Sequence, residues 1–346
     1  MASPDAAVQV SSVTYQQLAD IESDFDDINT QLLIQQAVSE RSLYERRASL
    51  LRKITGFWPL VLEQAPPEID QYIQPGDAAV LGNFLEDIEV TRFEIGDSVS
   101  SKDNGEPRSF AIRFTFAEND VFEDRVLEKR FWYRHAPVKE AEEGDKKKDD
   151  VAESWSGIVS EPVAIKWKKD KDLTGGLLDL AVKVYQEGEK SASVAALIEQ
   201  LEKTAMGGIS FFAWFGYVGR RISAEESKAA ETLKREQRAE RAAKEAKGET
   251  EETEDDEDED EDMIEDVDDS YEYEIFGDGD IVALAFAEDL WPNAIKYFRQ
   301  AQEEDTLSDL EFEDMDEDDD DDDEDDNENG DEGDAANAPP SKKQRK

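Results

Sequence analysis

The chain of 346 residues has no cysteine and a single histidine, His135. The first absence removes disulfides, Cys-ligated zinc and thiol nucleophiles; the second removes paired-histidine metal sites and makes a Ser-His-Asp triad a poor reading. No apolar run approaches the roughly 20 residues that span a bilayer. The opening MASPDAAVQV lacks a basic n-region and an apolar h-region, so no secretory signal is predicted. Cationic charge is scarce too: 39 Lys and Arg stand against 89 Asp and Glu, a formal net charge of −50. Affinity for polyphosphate comes from Lys and Arg, so neither nucleic acid nor an anionic membrane is an expected direct ligand. A basic partner is expected instead, met in the cytoplasm or nucleus.

The charge is unevenly spread. Residues 249–274 hold 18 Asp and Glu and no Lys or Arg, and residues 303–334 hold 22 with none. These two segments therefore carry −40, and everything else carries −10. Such segments bury too little apolar surface to offset ordering entropy, and both are predicted to be disordered. All six Trp lie elsewhere, in sequence rich enough in Phe, Ile, Val and Leu for a sizeable core.

From Tyr15 to Ile54 there is neither Gly nor Pro. Leu18, Ile21, Phe25, Ile28 and Leu32 recur at coiled-coil spacing, and the pattern resumes at Leu43, Arg47, Leu50, Ile54 and Phe57. The eleven residues from Leu32 to Leu43 keep the stripe aligned, as at a stutter. Forty residues make a rod of about 60 Å. Its stripe needs a partner. The other long charged helix, about 224–247, has Leu233 as its only large apolar residue, so it is expected to be solvated and a poor mate for the rod. Self-association is expected, with Leu18, Ile21, Phe25, Ile28, Leu32, Leu43, Leu50 and Ile54 at a two-fold seam.

Beyond the rod the pattern is α+β. A short helix is expected over 77–84, capped by Asp77, with strands over 87–94, 110–116, 126–134 and 162–167. FAIRFTF (110–116) alternates apolar and polar positions as an antiparallel strand does, and Asn104-Gly105 is a turn signal between two strands. Residues 138–153 look like a loop. Helices are expected over 177–186, 193–203, 209–218 and 280–302, the last broken at Trp291-Pro292. The fold class is thus a long N-terminal dimerisation helix followed by an antiparallel sheet with covering helices, plus disordered acidic segments. The boundaries fall at 1–14 (flexible N-terminus), 15–63 (rod and its end), 64–302 (domain, with an insertion at 219–275) and 303–346 (acidic tail).

Few motifs carry chemistry. Asp325, Asn327, Asn329 and Gly330 begin like an EF-hand loop, but the twelfth position, which needs a bidentate Glu, is Ala336. Gly175-Gly176, Gly207-Gly208 and the GDGD of 277–280 lack the context of a phosphate-binding loop. His135, at a strand end, reads as a surface or capping residue, and the aromatic group Phe211, Phe212, Trp214, Phe215 and Tyr217 reads as core. No catalytic residue, metal or cofactor is expected. The run around Asp314, Asp316, Asp318, Asp320, Asp322 and Asp325 is the main candidate surface for a basic partner. The terminal Lys342, Lys343, Arg345 and Lys346 suit a nuclear import receptor.

The order of motifs adds a family. A rod followed by KITGFW, VTRFE, FTFAENDVFEDRVLEKRFW, IKWKKDKDLT, SFFAWF, EDLWPNAIKYF and an acidic tail resembles the nucleosome assembly protein family, in particular its SET/template-activating-factor branch. The matches run from about residue 17 to 302; residues 179–205 and 219–275 enlarge the region around SFFAWF beyond that branch. The resemblance implies a headphone-shaped homodimer with an earmuff domain on each paired rod. It implies a nuclear histone chaperone that hands core histones to DNA without ATP. Glu118, Asp120, Glu123 and Asp124 match the family's acidic ENDxFED stretch and become candidate histone contacts. Some members partner a histone acetyltransferase and others inhibit a phosphatase, so an acidic adaptor or inhibitor docked on such an enzyme is the alternative reading.

Overall fold

The computed structural model describes residues 15–136, 155–188, 191–205, 208–246 and 273–304. The expected rod is one helix, α1 (Tyr15–Leu51), of 37 residues rather than forty. Beyond a short turn, Gly56 sits in the left-handed region at φ 73° and caps the start of α2 (Phe57–Glu63). Phe57 therefore leaves the stripe, and with Trp58, Val61 and Leu62 it is buried in the domain core. Two further short helices, α3 (Pro67–Asp70) and α4 (Pro75–Phe84), each begin at proline. Asp77 is not the cap of α4 but its third residue. Gln74 is the cap, and the Asp77 carboxylate accepts its backbone N–H at 3.0 Å.

The sheet is a four-stranded antiparallel meander, β1 (Leu85–Thr91), β2 (Phe110–Phe116), β3 (Val126–His135) and β4 (Ser156–Ser160), in spatial order 1-2-3-4. The alternation in FAIRFTF puts Phe110, Ile112, Phe114 and Phe116 on the core face, each within 1% of full burial. The fourth strand corrects the sequence reading. Residues 162–167 stay out of the sheet; their only ladder contact among the described residues is an isolated bridge between Trp167 and Phe122. Pro162 removes a donor just where that strand would have begun, and the preceding SGIVS pairs with β3 instead. Asn104-Gly105 lies in a long connection between β1 and β2, not in a two-residue hairpin, with Asn104 bonded to Gly96, Ser98 and Val99.

Helices α5 (Leu177–Glu187) and α6 (Ser193–Ala205) pack together on the domain. The segment expected as a helix over 209–218 is a tighter 3-10 turn, Phe211–Gly216, whose aromatic side chains are all buried. Phe114 is ringed by Phe211, Trp214, Phe215 and Phe286 at 5.4–6.1 Å. The last helical region divides into α8 (Gly279–Leu284), a π segment (Ala285–Leu290) and a helix over 294–304, interrupted at Trp291-Pro292 as the proline requires. Gly279 lets this region approach the core: its carbonyl accepts the Trp214 indole N–H at 2.8 Å, and a side chain there would overlap the Tyr217 ring. Gly279→Ala is expected to cost about 1–3 kcal/mol of overpacking, read as a lower urea midpoint at unchanged m.

Helix α7 (Ala224–Ala246) is charged and exposed as expected, but it is not without a mate. Ser227 accepts the His135 backbone N–H, and at the other end Arg238 and Arg241 pair with Asp20, Asp24 and Asp27 of α1. The sequence reading weighed apolar complementarity only, and this contact is made of ion pairs.

Candidate functional site

Three surfaces were expected to work: the stripe of α1, the acidic ENDVFED loop and the terminal segments. Asp314–Asp325 and the basic cluster at Lys342, Lys343, Arg345 and Lys346 lie outside the described residues. The other two have defined geometry.

Along α1 and the turn after it, all eight expected seam residues are exposed in the single chain, from 40% at Ile54 to 63% at Phe25. Leu51 alone among the described apolar side chains of the helix is buried. On its other flanks α1 is tied to the domain by arginines. Arg41 reaches Asp97 at 2.7 Å and the carbonyls of Ile95 and Gly96. Arg52 pairs with Asp87 at 3.0 Å, and Arg108 pairs with Asp26. Arg47, which interrupts the apolar spacing, lies beside the Tyr44 and Trp291 rings, 4.6 and 4.4 Å from their centres, and the two rings meet each other at 4.2 Å. It donates to the carbonyls of Trp291 and Pro292. Burial lowers its pKa, with Tyr44 and Asp87 opposing. A cleft of about 560 Å³ remains between this half of α1, β1 and Trp291, with both signs of charge in its walls. None of these arginines was legible as a site. Arg47 left the one signal, a cation where the repeat calls for an apolar residue.

The ENDVFED loop joins β2 to β3 and is held from within. Asn119 Oδ1 accepts the N–H groups of Val121 and Phe122, both at 2.9 Å, and Phe122 is buried against Phe116, Trp167 and Phe212. With the ring inside, the carboxylates of Glu118, Asp120 and Glu123 stand in solvent, while Asp124 is partly covered. The facing segment is IKWKKDKD (165–172). It pairs with the loop through Glu123 N–H to Lys166 O, Lys166 N–H to Asp124 Oδ2 and Lys168 N–H to Val121 O, at 2.7–2.9 Å.

That pairing changes the expected acid surface. Lys171 meets Asp120 at 3.1 Å and holds its carboxyl below the usual range. Lys166 lies 3.8 Å from Asp124, whose other oxygen is already bonded to backbone. Among the described residues only Glu118 and Glu123 of the four lack an ion pair. Asp170, the one non-glycine residue at positive φ (60°) among the described residues, turns the chain so that Lys169 and Lys171 stay at the surface. The patch is therefore mixed, not purely acidic, because residues some 45 positions apart meet across it.

Inside the domain, Lys129 is fully buried and donates to the carbonyls of Glu161, Phe215 and Tyr217 at 2.8–3.0 Å. Burial pushes its pKa down to about 7, opposed by Glu274 and Glu161. Glu274, at the end of the first acidic segment, accepts N–H groups from Val218, Gly219 and Phe276, and burial raises its pKa. So that segment ends inside the fold, where it was expected to be disordered throughout. His135 is partly buried at the end of β3, with its pKa lowered by burial first and Arg108 second. Among the described residues no cluster of three His, Asp or Glu is placed to hold a metal ion, and no helix is long and apolar enough to cross a membrane.

A Schizosaccharomyces pombe protein whose name places it among the nucleosome assembly proteins is 28% identical over 305 residues, 88% of this chain and 86% of its own length. Protein SET of Drosophila melanogaster is 30% identical over 135 residues, 39% of this chain and 41% of the fly protein. Among solved structures, the Vps75 histone chaperone superposes with a TM-score of 0.46 at 20% identity, over 84% of this chain and 98% of that one. The profile of the nucleosome assembly proteins matches residues 13–301, and the chain belongs to that family.

Proposed function

We propose that this chain is a nuclear, homodimeric histone chaperone that shields core histones with its acidic segments and releases them to DNA without nucleotide hydrolysis. The observation that carries the reading is −40 of charge concentrated in two segments of a chain from the nucleosome assembly protein family. The exposed stripe of α1 supports the dimer, and Lys342, Lys343, Arg345 and Lys346 support import. Glu118 and Glu123 are the loop carboxylates left for a histone; Asp120 and Asp124 take part once Lys171 and Lys166 let go.

The handover follows from charge density. An extended polypeptide places successive carboxylates about 3.4 Å apart, whereas duplex DNA carries one charge per about 1.7 Å. An acidic arm can therefore cover a histone's basic face and still lose it to DNA. Exposed ion pairs are worth only about 0.2–1 kcal/mol each, so binding must be a sum over many contacts and must weaken with salt.

The test is a supercoiling assay with purified core histones and relaxed plasmid, without ATP. Deposition is expected. Deleting residues 303–334 is expected to weaken histone binding about tenfold near 0.15 M salt and flatten its salt dependence, with the dimer intact. Absence of deposition, together with tight binding to a chromatin-modifying enzyme or a phosphatase, would replace this reading with the adaptor or inhibitor.

A further inference from the structure

Helix α7 lies in the 219–275 insertion, and its two ends are held differently. At the start, Ser223 and Glu226 form a reciprocal cap, each backbone N–H bonded to the other's side chain at 2.8 and 3.2 Å. One residue on, Ser227 is buried and holds the end of β3 through the His135 N–H. From there the helix runs over the surface, with Leu233 43% exposed. Its far half touches α1 through two guanidinium groups. Arg238 bonds Ser23, Asp24 and Asp27, and Arg241 bonds Asp20 at 3.0 Å. The contact is imperfect: Arg241 Nε is out of solvent with no acceptor. Held by a few partly exposed ion pairs, the far half is weakly bound and loosens with salt.

The flank it covers is separate from the expected seam. At 100° per residue, Asp20, Ser23, Asp24 and Asp27 centre about 130° around the helix from Leu18, Ile21, Phe25 and Ile28. A second copy on the stripe and α7 on the acidic flank can be seated together. What the flank holds in this structure is arginine, which states the chemistry it accepts.

We propose that the far half of α7 is a detachable guard on the acidic flank of α1, and that a Lys/Arg-rich segment of a basic partner displaces Arg238 and Arg241 to occupy Asp20, Asp24 and Asp27. This rests on the reading that the chain receives basic partners, and it adds a second, gated contact surface on the rod.

The experiment compares the full-length chain with R238Q/R241Q and with K228Q/K234Q, a charge-matched change on exposed α7 lysines away from the contact. Backbone hydrogen exchange over 236–246 and affinity for a fluorescein-labelled oligo-arginine peptide are measured at low and physiological salt. The guard variant is expected to lose protection over 236–246 and to bind the peptide about 3- to 10-fold more tightly than the charge-matched control. A third variant, D20N/D24N/D27N, should lose the same protection without any gain in affinity, because the receiving flank is gone. Unchanged protection in the guard variant, or a gain no larger than the control's, overturns the proposal. Wild-type histone deposition is read separately, so loss of the guard and loss of the chaperone reading are distinguishable.

Discussion

Replacing Phe25 and Ile28 together with aspartate is expected to halve the mass that light scattering records, from twice 39.1 kDa to 39.1 kDa. Seven large apolar side chains stand 49–63% exposed along one stripe of α1, and Ile54, 40% exposed, continues it in the turn beyond. Covering the exposed half of each is worth about 1 kcal/mol, so sixteen across a two-fold seam give roughly 15 kcal/mol at most. Association costs about 4–15 kcal/mol in lost freedom, so the dimer has little surplus. The double substitution removes four of those side chains and places four carboxylates in an apolar seam, where each is costly unless it leaves for water. Both positions are exposed in the single chain, and aspartate in an exposed helix costs under about 1 kcal/mol, so helicity by circular dichroism should persist. An unchanged mass would place the seam elsewhere.

The second large effect is expected at Lys129. Lys129→Met fills similar volume but leaves the carbonyls of Glu161, Phe215 and Tyr217 without their common donor and strips Glu274 of its buried counter-charge. Phe215 O keeps the Val163 N–H and Glu161 O keeps the Ser160 hydroxyl, so the loss is set by about one buried acceptor, about 1–3 kcal/mol, or about 2–12 °C of melting temperature for a body of this size. The pH dependence has a defined sign. Lys129 falls from an ordinary 10.5 to about 7 in the folded chain, so between those values the unfolded chain holds a proton that the folded chain has released. Unfolding then takes up a proton, and this group's contribution to stability rises as pH climbs through that window. The stability gap between wild type and Lys129→Met should widen from pH 7 upward in urea titrations; a constant gap would mean the ammonium stays charged throughout.

Elements with a strong local signal were legible in the sequence. The Gly- and Pro-free run gave α1, the alternation of FAIRFTF gave β2, and Trp291-Pro292 gave the break in the last helical region. What went astray was decided by partners distant in sequence. Residues 162–167 look like a strand by composition, yet Pro162 and the competing SGIVS keep them out of the sheet. The carboxylates of ENDVFED look like a free acidic surface until Lys166 and Lys171 arrive from 45 residues downstream. Likewise α7 looks solvated because its contact with α1 is made of charges, which a hydrophobic pattern does not register.

Trp291 does more than meet Tyr44 and Arg47. Its indole N–H donates to the Ile88 carbonyl at 3.0 Å, on the outer strand of the meander, while α1 runs past the same border. At the opposite border, Ser160 N–H meets the Val218 carbonyl and the Tyr217 hydroxyl meets Ile158. Unsatisfied strand borders template pairing between chains, and a sheet closed at both sides offers no such template. Copies of this chain are thereby steered away from open-ended, strand-to-strand growth, and on the proposed seam along α1 association would stop at a closed pair.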